Sequence, residues 1–184
     1  MKLKLKTAPS TEPVSLSEVK NYLKIDTSDD DDLISDIIKA ARQLCEGYTR
    51  RAFITQTWNM IFDAVGSEVR LPRPPIQSVE KISVIDEDGN SSEVSSDIYV
   101  VETAENSKGR IRLKPGCSWP SHRGFGSFIV EYKAGYGDSA SDVPEGIKQG
   151  ILQLIAALYE NRGVVEEIPE VVKVVLEPYV IYEL

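Results

Sequence analysis

The sequence predicts an α+β fold, a helical bundle formed by helices from the two ends of the chain with a central antiparallel β-sheet or sandwich as an insertion. Three observations carry this. Apolar residues recur at helical spacing from Leu33 to Tyr48, the period switches to strand-like alternation from Thr55, and the helical period returns after Ala140. The chain of 184 residues is therefore read as a single domain, with a helical part at 13–50, a β insertion at 55–135, a second helical part at 141–178 and a tail at 179–184.

Ser15 followed by Glu18 reads as a capping box that opens a short helix, Leu16 to Ile25, with Leu16, Val19, Leu23 and Tyr22 facing inward. The run Asp29 to Asp32 then introduces an amphipathic helix in which Leu33, Ile34, Ile37, Ile38, Ala41, Leu44, Cys45 and Tyr48 share the apolar side. Its end is expected near Thr49. In the β part, Trp58, Met60 and Phe62 alternate with Thr57, Asn59 and Ile61, and Val69 and Leu71 precede the breaker Pro72-Arg73-Pro74-Pro75. Val79 to Ile85 runs into Asp86-Glu87-Asp88-Gly89-Asn90, a strong hairpin signal. Further strands are expected at Ile98 to Val101, around Ile111 and Leu113, and at Phe128 to Tyr132. After a cap at Ser141 or Asp142, with Pro144 in the first turn, Ile147 to Tyr159 is apolar on two sides and needs neighbours on both. Pro169 to Glu177 is read as a last helix, stopped by Pro178.

The charge balance is 21 basic against 29 acidic residues, a formal net charge of −8. Such a chain repels the phosphate backbone on average, so any contact with DNA must be local. Met1 to Lys6 alternates lysine with leucine and never reaches the apolar run of a signal peptide, and no stretch approaches the roughly 20 apolar residues of a membrane span. A reducing cytosol is the expected setting, without membrane contact. Cys45 and Cys117 form no motif, and Cys45 reads as a small buried hydrophobe.

The residues point away from catalysis. The single histidine, His122, has no partner for a zinc site and no nucleophile elbow to serve. Asp29 to Asp32 are consecutive and run straight into a helix, which suits the helix dipole and not an EF-hand loop. Gly124-Phe125-Gly126 and Gly135-Tyr136-Gly137 read as turns. No enzyme activity, metal or cofactor is expected. Basic clusters stand at Arg50-Arg51, at Arg70 with Arg73, and at Lys108, Arg110, Arg112 and Lys114, where strand alternation places the charges on one face. That face is either simply solvated, or faces DNA phosphate or an acidic protein.

Several segments, in order, carry a family resemblance. They are Pro13 to Lys20 with Tyr22 to Asp26, Tyr48 to Trp58, Leu71 to Val79, Ser118-Trp119-Pro120, Ala134 to Gly137, Val143 to Gln149, and Tyr159 to Arg162. Together they resemble the head–tail connector (adaptor, or head-completion) proteins of tailed double-stranded DNA phages, over about Pro13 to Tyr179. One departure is that the family's usual Thr-Gly-Arg reads Thr49-Arg50-Arg51 here, so the second helix must close without that glycine. The resemblance implies a structural subunit of a phage or prophage. It implies a ring, commonly of twelve copies, docked beneath the portal protein, extending the DNA channel and receiving a neck, stopper or tail protein. It places the assembled protein in the virion neck, after assembly in the host cytoplasm, with duplex DNA passing and not held in a sequence-specific way. It also implies that the apolar tail Tyr179, Val180, Ile181, Tyr182 and Leu184 reaches the portal, where burial in the subunit's own core is the alternative. The competing reading of the whole chain is a monomeric β-rich protein- or ligand-binding module with no neck role.

Overall fold

The computed structural model describes residues 1–103, 107–162 and 167–182. The chain divides into two compact units, Pro9–Ile54 with Tyr136–Leu184, and Met1–Ala8 with Thr55–Gly135.

The first unit is helical, with α1 at Leu16–Leu23, α2 at Asp31–Thr49, α3 at Glu145–Glu160 and α4 at Glu170–Leu176. The capping box forms: the Glu18 N–H donates to the Ser15 hydroxyl at 3.2 Å, and the Ser15 N–H donates to the Glu18 carboxylate at 2.7 Å. The Ser15 hydroxyl and backbone hold the Glu18 carboxyl below its ordinary value. α1 closes earlier than expected, at Lys24, which takes a left-handed conformation with φ of 60°. α2 buries Ile34, Ile37, Ile38, Ala41 and Cys45 against Ile147, Ile151, Leu154 and Ile155 of α3 in one continuous core. The two-sided apolar pattern of α3 is explained by α4, whose Val172 and Leu176 join the same core. The approach is close, since a Cβ at Gly150 would lie 2.7 Å from the Leu176 side chain.

Three details differ from the sequence expectation. Leu33, Leu44 and Tyr22 are exposed, at 44%, 40% and 43%, because they lie on the flanks of stripes that are covered from one side only. Pro144 stands as N-cap of α3, outside its first turn. The preceding cap belongs to a short 3₁₀ turn, Ala140–Asp142, where the Asp142 carboxylate accepts from the Ser139 N–H at 3.0 Å.

The second unit holds two antiparallel sheets. Its strands are β1 (Lys2–Thr7), β2 (Gln56–Phe62), β3 (Glu68–Leu71), β4 (Ile76–Ile85), β5 (Ser91–Glu93), β6 (Tyr99–Glu102), β7 (Gly109–Leu113) and β8 (Phe128–Ala134). They are ordered β1-β2-β8-β4-β5 and β3-β7-β6. Cross-strand rows Met60–Val130–Ile82 and Phe62–Phe128–Val84 build the core face of the larger sheet. Val69 and Ile111 are buried on the smaller one. The sheets meet closely at Gly109, where a Cβ would lie 2.7 Å from Ile76. Trp119 packs edge-on against Phe128 with ring centroids 4.9 Å apart, and its indole N–H donates to the Gly66 carbonyl at 2.7 Å. The Asp86 to Asn90 segment turns β4 into β5, with Gly89 at φ of 89° and the Asp86 carboxylate accepting the Asn90 N–H at 2.8 Å. β1 was not anticipated, although its Lys–Leu alternation is the pattern of an edge strand.

Two outcomes check this architecture. Leu154→Asp puts an unpaired charge at a fully buried position of α3 and is expected to abolish cooperative unfolding in a thermal melt, since that burial costs several kcal/mol. Lys24→Gly relieves the left-handed cost at an exposed cap and is expected to raise stability by about 1 kcal/mol in urea denaturation.

Candidate assembly surfaces

Part of the acidic run is committed inside the subunit. Asp31 and Asp32 occupy the first turn of α2, Asp31 pairs with Lys20 at 2.6 Å, and Asp30 accepts the Tyr159 hydroxyl at 2.6 Å. That last bond pushes the Tyr159 hydroxyl above its ordinary pKa. Among the described residues no group of three or more His, Cys, Asp or Glu is placed to hold a metal ion. His122 sits in its loop with Nδ1 3.0 Å from the Pro120 carbonyl and its ring beside Phe128.

Of the basic residues, the β7 set does share a face. The register Arg112–Glu68 and Arg110–Arg70 toward β3, with Arg112–Val100 and Arg110–Glu102 toward β6, sets these six side chains on the side opposite Val69 and Ile111. The face is mixed in sign. Glu102 takes Arg110 at 2.5 Å, Glu68 takes Arg70 at 3.3 Å, and Arg112 has no ion-pair partner among the described residues. Lys114 is exposed and Lys108 half-buried, both next to β7. A face this interleaved gives a weaker phosphate field than the sequence alternation suggests.

Arg50 and Arg51 separate. Arg50 closes α2 in the left-handed conformation, φ of 58°, and is exposed. Arg51 is 3% exposed, donates from Nε to the Tyr179 carbonyl at 2.6 Å and lies over the Tyr136 ring at 5.9 Å. It is an internal brace of the helical unit, so the surface reading of this pair is corrected to Arg50 alone. A second buried cation, Arg42, bonds Glu12 at 2.6 Å and Glu46 at 2.8 Å, and Glu46 also accepts the Phe53 N–H at 2.9 Å. Sequence reasoning missed this cluster. The i, i+4 spacing of Arg42 and Glu46 within the apolar side of α2 was its one signal.

The tail follows a 3₁₀ turn at Glu177–Tyr179. Ile181 is 7% exposed and its N–H donates to the Thr49 carbonyl at 3.0 Å, so it closes the C-terminal end of α2. Tyr179 packs against Gly146, and Val180 is half-buried. Tyr182 is 63% exposed with its hydroxyl on Glu177, which also accepts the Tyr48 hydroxyl at 3.1 Å. Leu184 lies outside the described residues.

The chain belongs to the head completion protein family, whose family model matches residues 12–168. No curated protein matches it. Three solved structures share its fold at identities of 22–23%. They are a chain in the neck of an empty gene transfer agent (GTA) particle computed with C6 symmetry (TM-score 0.85, 23% identity), one in the virion of the native GTA particle (0.84, 23%), and one in the native GTA neck computed with C12 symmetry (0.83, 22%). Each likeness covers 100% of this chain and 97% of the other.

Arg42→Met leaves Glu12 and Glu46 without their shared cation and is expected to destabilise the subunit by about 3–5 kcal/mol in denaturant unfolding. Ile181→Ala is expected to cost about 2 kcal/mol. Tyr182→Ala is expected to stay within about 0.5 kcal/mol of wild type, because its ring is solvated.

Proposed function

We propose that this protein is the connector subunit of a tailed-phage or phage-like particle. It forms a ring at the head–tail interface beneath the portal, extends the DNA channel and receives the next neck or tail component. The observation that carries the reading is the family match over 12–168, joined to a fold that aligns end to end with chains of particle necks computed with C6 and C12 symmetry. A twelve-fold ring, assembly in the bacterial cytoplasm and a structural, non-enzymatic role follow from the same reading.

The tail divides its labour. Val180 and Ile181 stay with the subunit, and Tyr182, with the residues beyond it, is the portal-facing element. An exposed tyrosine held by one hydroxyl contact can turn its ring into a partner's groove at little conformational cost. DNA passes because the net charge of −8 opposes the phosphate field. Arg50 and the Arg110–Arg112 face supply at most local, screened contacts.

Two measurements test this. Negative-stain images of the protein mixed with its portal should show an added ring, and Tyr182→Ala should weaken that complex and leave the melting temperature unchanged. In anisotropy titrations duplex DNA should bind weakly, with no sequence preference, and release as salt rises. Tight, salt-resistant and sequence-selective binding would overturn the channel reading and favour a transcriptional role.

A further inference from the structure

The five-stranded sheet ends in two different edges. β1 pairs with β2 alone and β5 with β4 alone among the described residues, so each presents backbone groups without a strand partner. The β1 edge is basic. Lys2 and Lys4 are exposed and make no ion pair among the described residues, and Lys6 pairs with Glu131 at 2.7 Å. The opposite edge is acidic. Glu87 and Asp88 project from the hairpin tip, and Glu93 lies on β5 itself, with Lys81 at 3.6 Å.

We propose that the β1 edge of one subunit docks against the β4–β5 hairpin edge of a neighbouring copy, as a head-to-tail contact between ring subunits. This rests on the ring reading above. A closed ring of identical chains needs two different, mutually complementary surfaces on every subunit, and this sheet carries such a pair. The edges cannot satisfy each other internally. Four strand spacings of about 4.8 Å set them roughly 19 Å apart, well beyond the screening length of about 8 Å at physiological salt.

The apolar side agrees with the charges. Leu5 lies on the core-facing side of β1, opposite Trp58, yet remains 40% exposed, as if one more neighbour belonged there. Lysines on an edge strand repel generic strand addition, and an acidic edge is the partner against which that repulsion becomes attraction. DNA phosphate would meet Lys2 and Lys4 as well. The second copy is favoured because the same sheet supplies the matching acids and the whole chain is acidic.

The test uses the full chain and two charge-reversed variants, Lys2→Glu with Lys4→Glu, and Glu87→Lys with Asp88→Lys. Neither pair takes part in an ion pair among the described residues. Sedimentation velocity and carbodiimide cross-linking of mixed ¹⁴N- and ¹⁵N-labelled protein read out assembly, and melting curves check folding. Wild type should give intermolecular links from Lys2 or Lys4 to Glu87 or Asp88, and these should fade at high salt. Each variant alone should associate at least about tenfold more weakly. An equimolar mixture of the two should assemble again, because every contact then joins opposite charges. Rings that form equally well from either variant alone overturn this interface and leave the ring reading standing. Intact rings combined with lost DNA retention in the lysine variant overturn it in favour of a phosphate contact. A wild-type chain that neither sediments above monomer nor cross-links, alone or mixed with its portal, overturns both readings.

Discussion

The helical unit depends on how α2 ends. Four carbonyl groups at a helix C-terminus lack intrahelical donors, and this helix has no basic residue in its last turn. Its needs are met partly by its own last residue and partly from the far end of the chain. The Thr49 hydroxyl bonds back to the Cys45 carbonyl at 2.8 Å, and the Thr49 carbonyl receives the N–H of Ile181. Arg50 reverses the chain, and Arg51 reaches the Tyr179 carbonyl. One turn upstream, Glu46 holds the Phe53 N–H while Arg42 neutralises it and ties in Glu12. Three stretches far apart in sequence, around Glu12, Thr49 and Tyr179, are thereby fixed to one another. Breaking any one buried member leaves a polar group without its partner, which costs more than the bond itself contributes.

This corner explains how an arginine can stand at a left-handed position. The left-handed conformation costs a side-chain-bearing residue roughly 1–2 kcal/mol. The surrounding bonds over-determine the turn, so the cost is absorbed and does not shift the helix end. The expected stop near Thr49 was legible from the apolar period running out. The manner of the stop was not, because it depends on hydrogen-bond partners more than 120 residues away.

Much of the fold was legible for a similar reason. α2, α3 and β8 each run long enough for one period to dominate, and β8 alternates buried and half-buried residues without a break. The hairpin at Gly89 was legible because its turn chemistry is local. β1 was not, since five residues of alternating Lys and Leu suit a solvated segment as well as an edge strand, and the choice is made only by pairing with β2, 50 or more residues away. The division of the strands into sheets of five and three also lay beyond the pattern, because alternation says which face is apolar and not which strand lies alongside.

For a protein whose work is contact, the useful question about each charged or aromatic side chain is whether its own subunit already satisfies it. Sequence position cannot answer this. Arg50 and Arg51 are adjacent and alike, yet one is solvated and the other braced beneath Tyr179. Ile181 and Tyr182 are neighbours in an apolar tail, yet the first closes a helix and the second faces solvent. Applied to the described residues, the same question separates Asp30, Asp31 and Arg42, which are committed internally, from Lys2, Lys4, Glu87, Asp88 and Arg112, while Tyr182 is held by its hydroxyl alone and leaves its ring in solvent. Exposed ion pairs contribute little to a subunit's own stability, and charges left unpaired at a sheet edge contribute nothing to it. Their energetic value is realised only when a complementary surface arrives and the local dielectric falls. A subunit arranged in this way is stable by its core and specific by its edges, and the two properties can be altered separately.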